Sequence, residues 1–282
     1  MNRSSRLKLA AIHAGLMLMC MVTLYPVLWV VKMALSPTDG LSLSVSPIPD
    51  AVTFDHFREV LLSTDAAGRW VFGRQLLSSI VVSGATTLVG LTLAVSAAYA
   101  LSRFRFPGKE GGMQALLITQ MFPATLMLVP IYSILQKLHL LDSLTGLVLV
   151  YATTAMPFCI WMLKGYFDTL PRELEEAAVM DGASPAQVFL RVVLPLARPA
   201  LAVTALFSFM TAWNEFILAA TLLNDPTRFT LPVALQRYVG EHKVEWGKFA
   251  ACALVVSAPV MALFFALQKH LVGGLTAGGV KG

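Results

Sequence analysis

The sequence predicts an all-α integral membrane protein with six transmembrane helices, and three observations carry that expectation. Hydrophobic residues make up 57% of the 282 residues and charged residues only 13%, against roughly 25% charged in soluble domains. The mean hydropathy is +0.71. Several apolar runs reach the ~20 residues that a helix needs to cross a bilayer, whereas a membrane barrel would show alternating segments of ~10 residues.

The spans are expected at about 9–35, 76–101, 113–135, 144–163, 200–223 and 249–271, in one domain covering 1–282 without internal repeat or composition break. The first follows Arg3, Arg6 and Lys8, as a signal peptide would. Its apolar run is longer than a signal core of ~7–15 residues and lacks a small-x-small cleavage site, so an uncleaved helix is expected. Lys32 near its far end is placed to snorkel to the interface. In the second span Ala94, Ala97 and Ala98 share a face, as close helix packing in lipid requires. The third carries Pro123 and Pro130, which mark either a broken helix lining a cavity or ordinary tolerance of proline in a membrane helix. After the sixth, "VGGLTAGGVKG" is expected to be too glycine-rich for a helix.

Charge placement sets the expected orientation. Arg3, Arg6, Lys8, Arg103, Arg105, Lys109, Lys164, Arg172, Arg191, Arg198, Lys269 and Lys281 fall on the side of the N-terminus. They outnumber Arg58, Arg69, Arg74, Lys137, Arg228, Arg237, Lys243 and Lys248 opposite, so both termini are expected in the cytoplasm. The net charge of +5 is therefore a topology signal and not a nucleic-acid patch. Cys20, Cys159 and Cys252 lie in or beside spans, and the five histidines have no metal-ligand spacing. Neither a disulfide framework nor a metal site is expected.

One polar segment, 171–199, interrupts the oily chain. Pro171 suits a first helical position, and Glu173, Glu175 and Glu176 crowd the first turns, where carboxylates meet the positive helix end. Gly182 stands where a helix stop wants a left-handed residue. Ser184, Pro185 and Gln187 spell a capping box for a second helix, expected to end before Leu194-Pro195. Helices of ~8–10 residues are marginal alone in water. The hairpin must lean on a surface, either a protein partner or its own transmembrane bundle.

Glu176-Ala177-Ala178, then Gly182, then Val192-x-Leu194-Pro195 resembles the EAA motif of ATP-binding-cassette (ABC) import permeases, with Val192 in place of the pattern's isoleucine. "RFRFPGK", "QMFPA", "KGYFDTLPRELEEAA", "WNEF" and "LTAGGVKG" are similar to the carbohydrate-uptake branch, most of all to the smaller membrane subunit of maltose/maltodextrin importers. The resemblance implies a type I ABC importer permease in a bacterial inner membrane. It implies maltose or maltodextrin as cargo, with trehalose or another oligosaccharide as the alternative. It also implies a second permease subunit, two ATPase subunits and a periplasmic sugar-binding protein as partners.

By that resemblance 171–199 is the coupling segment that docks on an ATPase, with Glu175, Glu176, Ala177, Ala178, Asp181, Gly182, Leu194 and Pro195 as its coupling residues. The chain has no GxxxxGK[ST] loop, since Gly108-Lys109 and Gly279-Val280-Lys281 do not fit. ATP and Mg are therefore expected on the partner ATPase, with no cofactor and no catalysis on this chain. Asn214 and Glu215 sit inside the fifth span, where a carboxylate costs about 2.5–3.5 kcal/mol on insertion scales and must face protein or water. With Gln120 they are read either as part of the sugar path or as helix–helix hydrogen bonds. The tail residues Gly278, Gly279, Val280 and Lys281 are implied to reach the ATPases, and the loop 224–248 with Tyr238 and Trp246 to meet the binding protein. A secondary transporter would need coupling carboxylates in several spans, and only Glu215 is a candidate. An intramembrane enzyme would need a metal set or a Ser/Lys pair that the spans lack.

Overall fold

The computed structural model describes residues 3–38, 40, 44–240 and 244–279. Its elements in order are α1 (Arg3–Leu35), α2 (Asp55–Leu61), α3 (Val71–Arg103), α4 (Lys109–Met121), a 3-10 turn (Ala124–Met127) and α5 (Leu128–Lys137). Then follow α6 (Leu144–Thr169), α7 (Glu173–Met180), α8 (Pro185–Val188), a π-turn (Phe189–Val193) and α9 (Leu194–Leu196). The last are α10 (Arg198–Asn214), α11 (Ile217–Leu222), α12 (Leu231–Gln236) and α13 (Trp246–Gly279). Among the described residues, four helices are long and apolar enough to cross a membrane, and two bent helix pairs bring the number to six if each pair is one span.

Two of the expected spans are interrupted. Of the two readings of the third span, 113–135, the structure has the broken helix and not a tolerated proline: α4 and the following helix meet at 93°. Pro123 makes the break, because it has no N–H to donate and holds Phe122 in an extended conformation (ψ 127°). Pro130 lies in the first turn of α5, where a missing N–H costs nothing, and causes no break. The fifth span stops at Asn214 and restarts at Ile217, because Glu215 is extended (ψ 128°). The second hairpin helix does not end before Leu194-Pro195 but runs on to Leu196, bending 76° into α10. A π-turn directly before Pro195 accommodates it, since the proline ring would clash with the carbonyl four residues back in a regular α-helix.

Two smaller expectations also give way. Pro171 precedes α7, whose N-cap is Arg172; Leu170, restricted by the proline after it, is extended (ψ 129°). The glycine-rich end continues α13 through Gly279. Adding residues to an established helix avoids the nucleation cost, so glycines are carried by the apolar helix before them. Val280 and Lys281 lie outside the described residues.

The described helices group into two compact units, 1–73 with 234–258 and 74–233 with 259–282. In the first, Met33, Ala34, Ala250 and Ala251 form a small core with Trp29, Phe57 and Trp246 against it. Lys32 is buried there, and its Nζ donates to the Ser46 carbonyl at 2.6 Å. In the second unit α6 is the central helix, with 61% of its span window buried. Ala94 and Ala98 of α3 are fully buried against Ala155, Cys159, Ile160, Leu163 and Phe167 of α6. A further cluster joins Leu147, Val150 and Tyr151 of α6 to Ala212, Leu218, Ala219 and Leu222.

The first of these clusters extends beyond the spans. Val188, Val193 and Ala197 of the hairpin are buried in it, and Ala178, Ala183, Phe189 and Leu194 pack on its edge. Phe167, fully buried, stands edge-on to Tyr99 at 6.1 Å, and Tyr99 in turn meets Phe189 at 4.7 Å. Phe167→Ala removes the centre of this seat and is expected to destabilise the protein by about 3–5 kcal/mol. A thermal unfolding midpoint in detergent, with proteolysis between α7 and α8 as a local readout, checks it. Phe167→Leu is expected to lose less, because it leaves a smaller void.

Candidate coupling site

The polar hairpin is defined by its caps. Glu175 and Glu176 N–H both donate to the Arg172 carbonyl, opening α7. At its end Gly182 has φ 86°, its N–H donates to the Val179 carbonyl at 2.9 Å, and Ala183 N–H donates to the Ala178 carbonyl at 3.0 Å. That pair of bonds is a Schellman stop, and glycine takes its left-handed position without strain. The capping box follows at once: Gln187 N–H donates to Ser184 Oγ at 3.3 Å, and Ser184 N–H donates to Gln187 Oε1 at 2.8 Å.

The hairpin presents two different faces. Ala178, Leu194 and the buried Val188 and Val193 turn to the transmembrane core. Glu176, Ala177, Asp181 and Gly182 are exposed on the other side. Beside them lie Leu174, Val179, Leu190 and Met180, the last 86% exposed. Pro195 is half-buried at the bend. Glu175, expected among the docking residues, is instead engaged within the chain. Its Oε1 accepts from Arg103 Nε at 2.5 Å and its Oε2 from the Tyr99 hydroxyl at 2.9 Å.

A network not foreseen from the sequence surrounds that ion pair. Arg103 Nη2 donates to the Leu170 carbonyl at 3.3 Å and Nη1 to Ser102 Oγ at 3.1 Å. The Ser102 hydroxyl donates to Asp168 at 2.6 Å, and Asp168 pairs with Lys164 at 2.6 Å. The available signal was spacing, because Tyr99 and Arg103 lie four apart and share a helix face.

The residues read as a possible sugar path do not converge. Gln120 lines a cavity of about 310 Å³ at the bend after α4, with Thr119, Phe122, Met127, Thr153 and Thr154, and donates to the Thr154 carbonyl at 3.2 Å. Asn214 and Glu215 are not in its lining. Asn214 is exposed and its amide donates to the Met210 carbonyl at 2.9 Å. Glu215 caps α11, accepting from Leu218 and Ala219 N–H at 2.9 and 3.1 Å, and takes the buried Tyr151 hydroxyl of α6 at 2.5 Å.

Of the 224–248 loop, the stretch to Val233 is pinned within its own unit. Asn224 and Asp225 N–H donate to Asp142, Gln75 donates to the Pro226 carbonyl, and Leu231 N–H donates to Ser79 Oγ. Trp246 packs on the small core of the other unit, and burial pushes the Tyr238 hydroxyl up to about 12, so it remains a donor at neutral pH.

The Glu215 carboxylate thus closes the broken fifth span. Glu215→Ala leaves both helix-start N–H groups and the Tyr151 hydroxyl without their acceptor and is expected to cost about 2 kcal/mol or more. Tyr151→Phe is expected to cost less, and the pair to be non-additive in a double-mutant cycle read by unfolding in detergent.

Residues 90–276, more than half of the chain, match the family described as binding-protein-dependent transport system inner membrane component. The maltose/maltodextrin transport system permease protein MalG of Escherichia coli K12 is 37% identical over 99% of this chain and 98% of its own length. The trehalose transport system permease protein SugB of Mycobacterium tuberculosis is 37% identical over 92% of this chain and 93% of its own. Among solved structures, a bacterial ABC transporter involved in the import of the acidic polysaccharide alginate matches with a TM-score of 0.78 and 25% identity, covering 95% of this chain and 98% of that one. The inward-facing MetNI methionine ABC transporter shares the fold, with a TM-score of 0.61 over 74% of this chain and 99% of that one. The chain belongs to the family of binding-protein-dependent transport system inner membrane components.

Proposed function

We propose that the chain is one of two permease subunits of an ATP-driven sugar importer in a bacterial inner membrane, with maltose or maltodextrin as its cargo. The observation that carries this reading is the two-faced hairpin. Its inner face is locked into the transmembrane core, while its outer face exposes Val179, Met180 and Leu190 around the turn at Gly182. An element rigidly tied to the spans and apolar on the outside is suited to carry a partner's motion inward.

In this reading two ATPase subunits hold ATP and Mg and dock on the hairpins of the two permeases, and a periplasmic binding protein delivers the sugar. Both termini lie in the cytoplasm, as the placement of Lys and Arg favours. The ATPase pair moves the hairpins only as far as nucleotide binds its closed state better than its open state. A second reading, trehalose or another oligosaccharide as cargo, is favoured by one observation: the trehalose permease matches at the same 37% identity as the maltose permease.

Gly182 gives the test. A Cβ added there meets nothing within 4 Å, so the chain itself has room for a side chain. The cost to an L-residue is the left-handed backbone alone, about 1–2 kcal/mol. In the complete transporter Gly182→Leu is expected to reach the membrane normally, to lose uptake about tenfold or more, and to hydrolyse ATP without moving sugar, with Gly182→Ala in between. Uptake of labelled maltose and trehalose reads both the coupling and the cargo. Full uptake by Gly182→Leu would remove the coupling assignment.

A further inference from the structure

The two arms of the hairpin are held to the spans by different forces. The arm from Pro185 to Leu196 is seated by apolar contact, with Val188 and Val193 buried. The arm α7 has no buried residue at all. Its contact with the core cluster is the half-buried Ala178, together with the Glu175 carboxylate. Apolar contact is non-directional and permits sliding, whereas a charge-assisted hydrogen bond fixes distance and angle.

Glu175 has both oxygens committed, one to Arg103 and one to Tyr99. The ion pair is shielded, with side chains only 8% and 15% exposed. The same guanidinium reaches Leu170 in the α6–α7 connection and Ser102 on its own helix, and Ser102 continues to Asp168 near the end of α6. The Tyr99 ring is held by Phe104, Phe167 and Phe189 at 6.1, 6.1 and 4.7 Å. One side chain of α3 therefore grips α7 and the chain leading into it at several fixed points.

We propose that Arg103 and Glu175, braced by Tyr99, are positioning residues for transport: they tie the first arm of the hairpin to the end of α3, so that displacement of α7 moves that span. The proposal rests on the reading of the hairpin as the coupling element. It assigns to Glu175 a role inward, towards the spans, rather than at the docking face.

The decisive variant is R103M/E175M in the complete reconstituted transporter. Replacing a shielded ion pair by apolar side chains of similar length often leaves stability unchanged, whereas removing one partner strands a charge. The double variant is therefore expected to assemble in wild-type amounts while the sugar imported per ATP hydrolysed falls about tenfold. Y99F, which keeps the ring and removes only the hydroxyl donor, is expected to assemble normally and lose about threefold in the same ratio. Wild-type sugar per ATP in R103M/E175M would overturn the proposal and reduce the pair to a local support. If the double variant does not assemble, Y99F decides, and an unchanged ratio there overturns the proposal equally. Loss of coupling in Gly182→Leu beside normal coupling in R103M/E175M removes this inference alone. Normal coupling in both removes the reading on which it rests.

Discussion

An eight-residue helix such as α7 makes too few hydrogen bonds to stand alone in water, and the seat beneath it is what the whole hairpin end of the molecule depends on. Phe167 and Leu163, both fully buried, bring the end of α6 under Val188 and Val193. Tyr99 reaches the same place from α3 and touches the aromatic rings of Phe167 and Phe189. Because the Schellman stop and the capping box spend their hydrogen bonds locally, the short arms keep their shape and the seat fixes their position. Shape without position would give a well-formed but idle loop.

The spans obey a second constraint. Hydrocarbon offers no hydrogen bonds to a freed backbone group, so a break in a membrane helix must bring its own partners or line water. At the fifth span the side chain at the break does this: Glu215 accepts the N–H groups that open α11 and a hydroxyl from α6. At the third span the break lies beside the cavity lined by Gln120, Thr153 and Thr154. Before Pro195 the chain widens into a π-turn instead of breaking. Each irregularity thus has a local physical cause, and none requires a loose segment in the membrane.

Much of this was legible in the sequence, for definite reasons. The caps of the hairpin were readable because serine, proline, glutamine and glycine act within three or four residues of themselves. Ala94 and Ala98 were readable because small residues four apart share a face. The break in span three was half legible, since Pro123 marks a break as readily as a tolerated proline. The break in span five was not, since hydropathy is the same for a straight helix and for two bent halves. The Glu175–Arg103 pair was hidden because its partners stand 72 residues apart. Its neighbour Glu176, identical in type, faces outward. Only the rotation of α7 on its seat distinguishes the two glutamates.

The central claim is that the outer face of the hairpin is where a separate ATPase engages this permease. Met180, the most exposed apolar side chain on that face, offers the most direct measurement. In native membranes carrying the complete transporter, M180C should form a short-span cross-link to the ATPase subunit, with a yield that changes between nucleotide-free and ATP-bound states. A cross-link only to the second permease, or none to the ATPase in either state, would contradict the account.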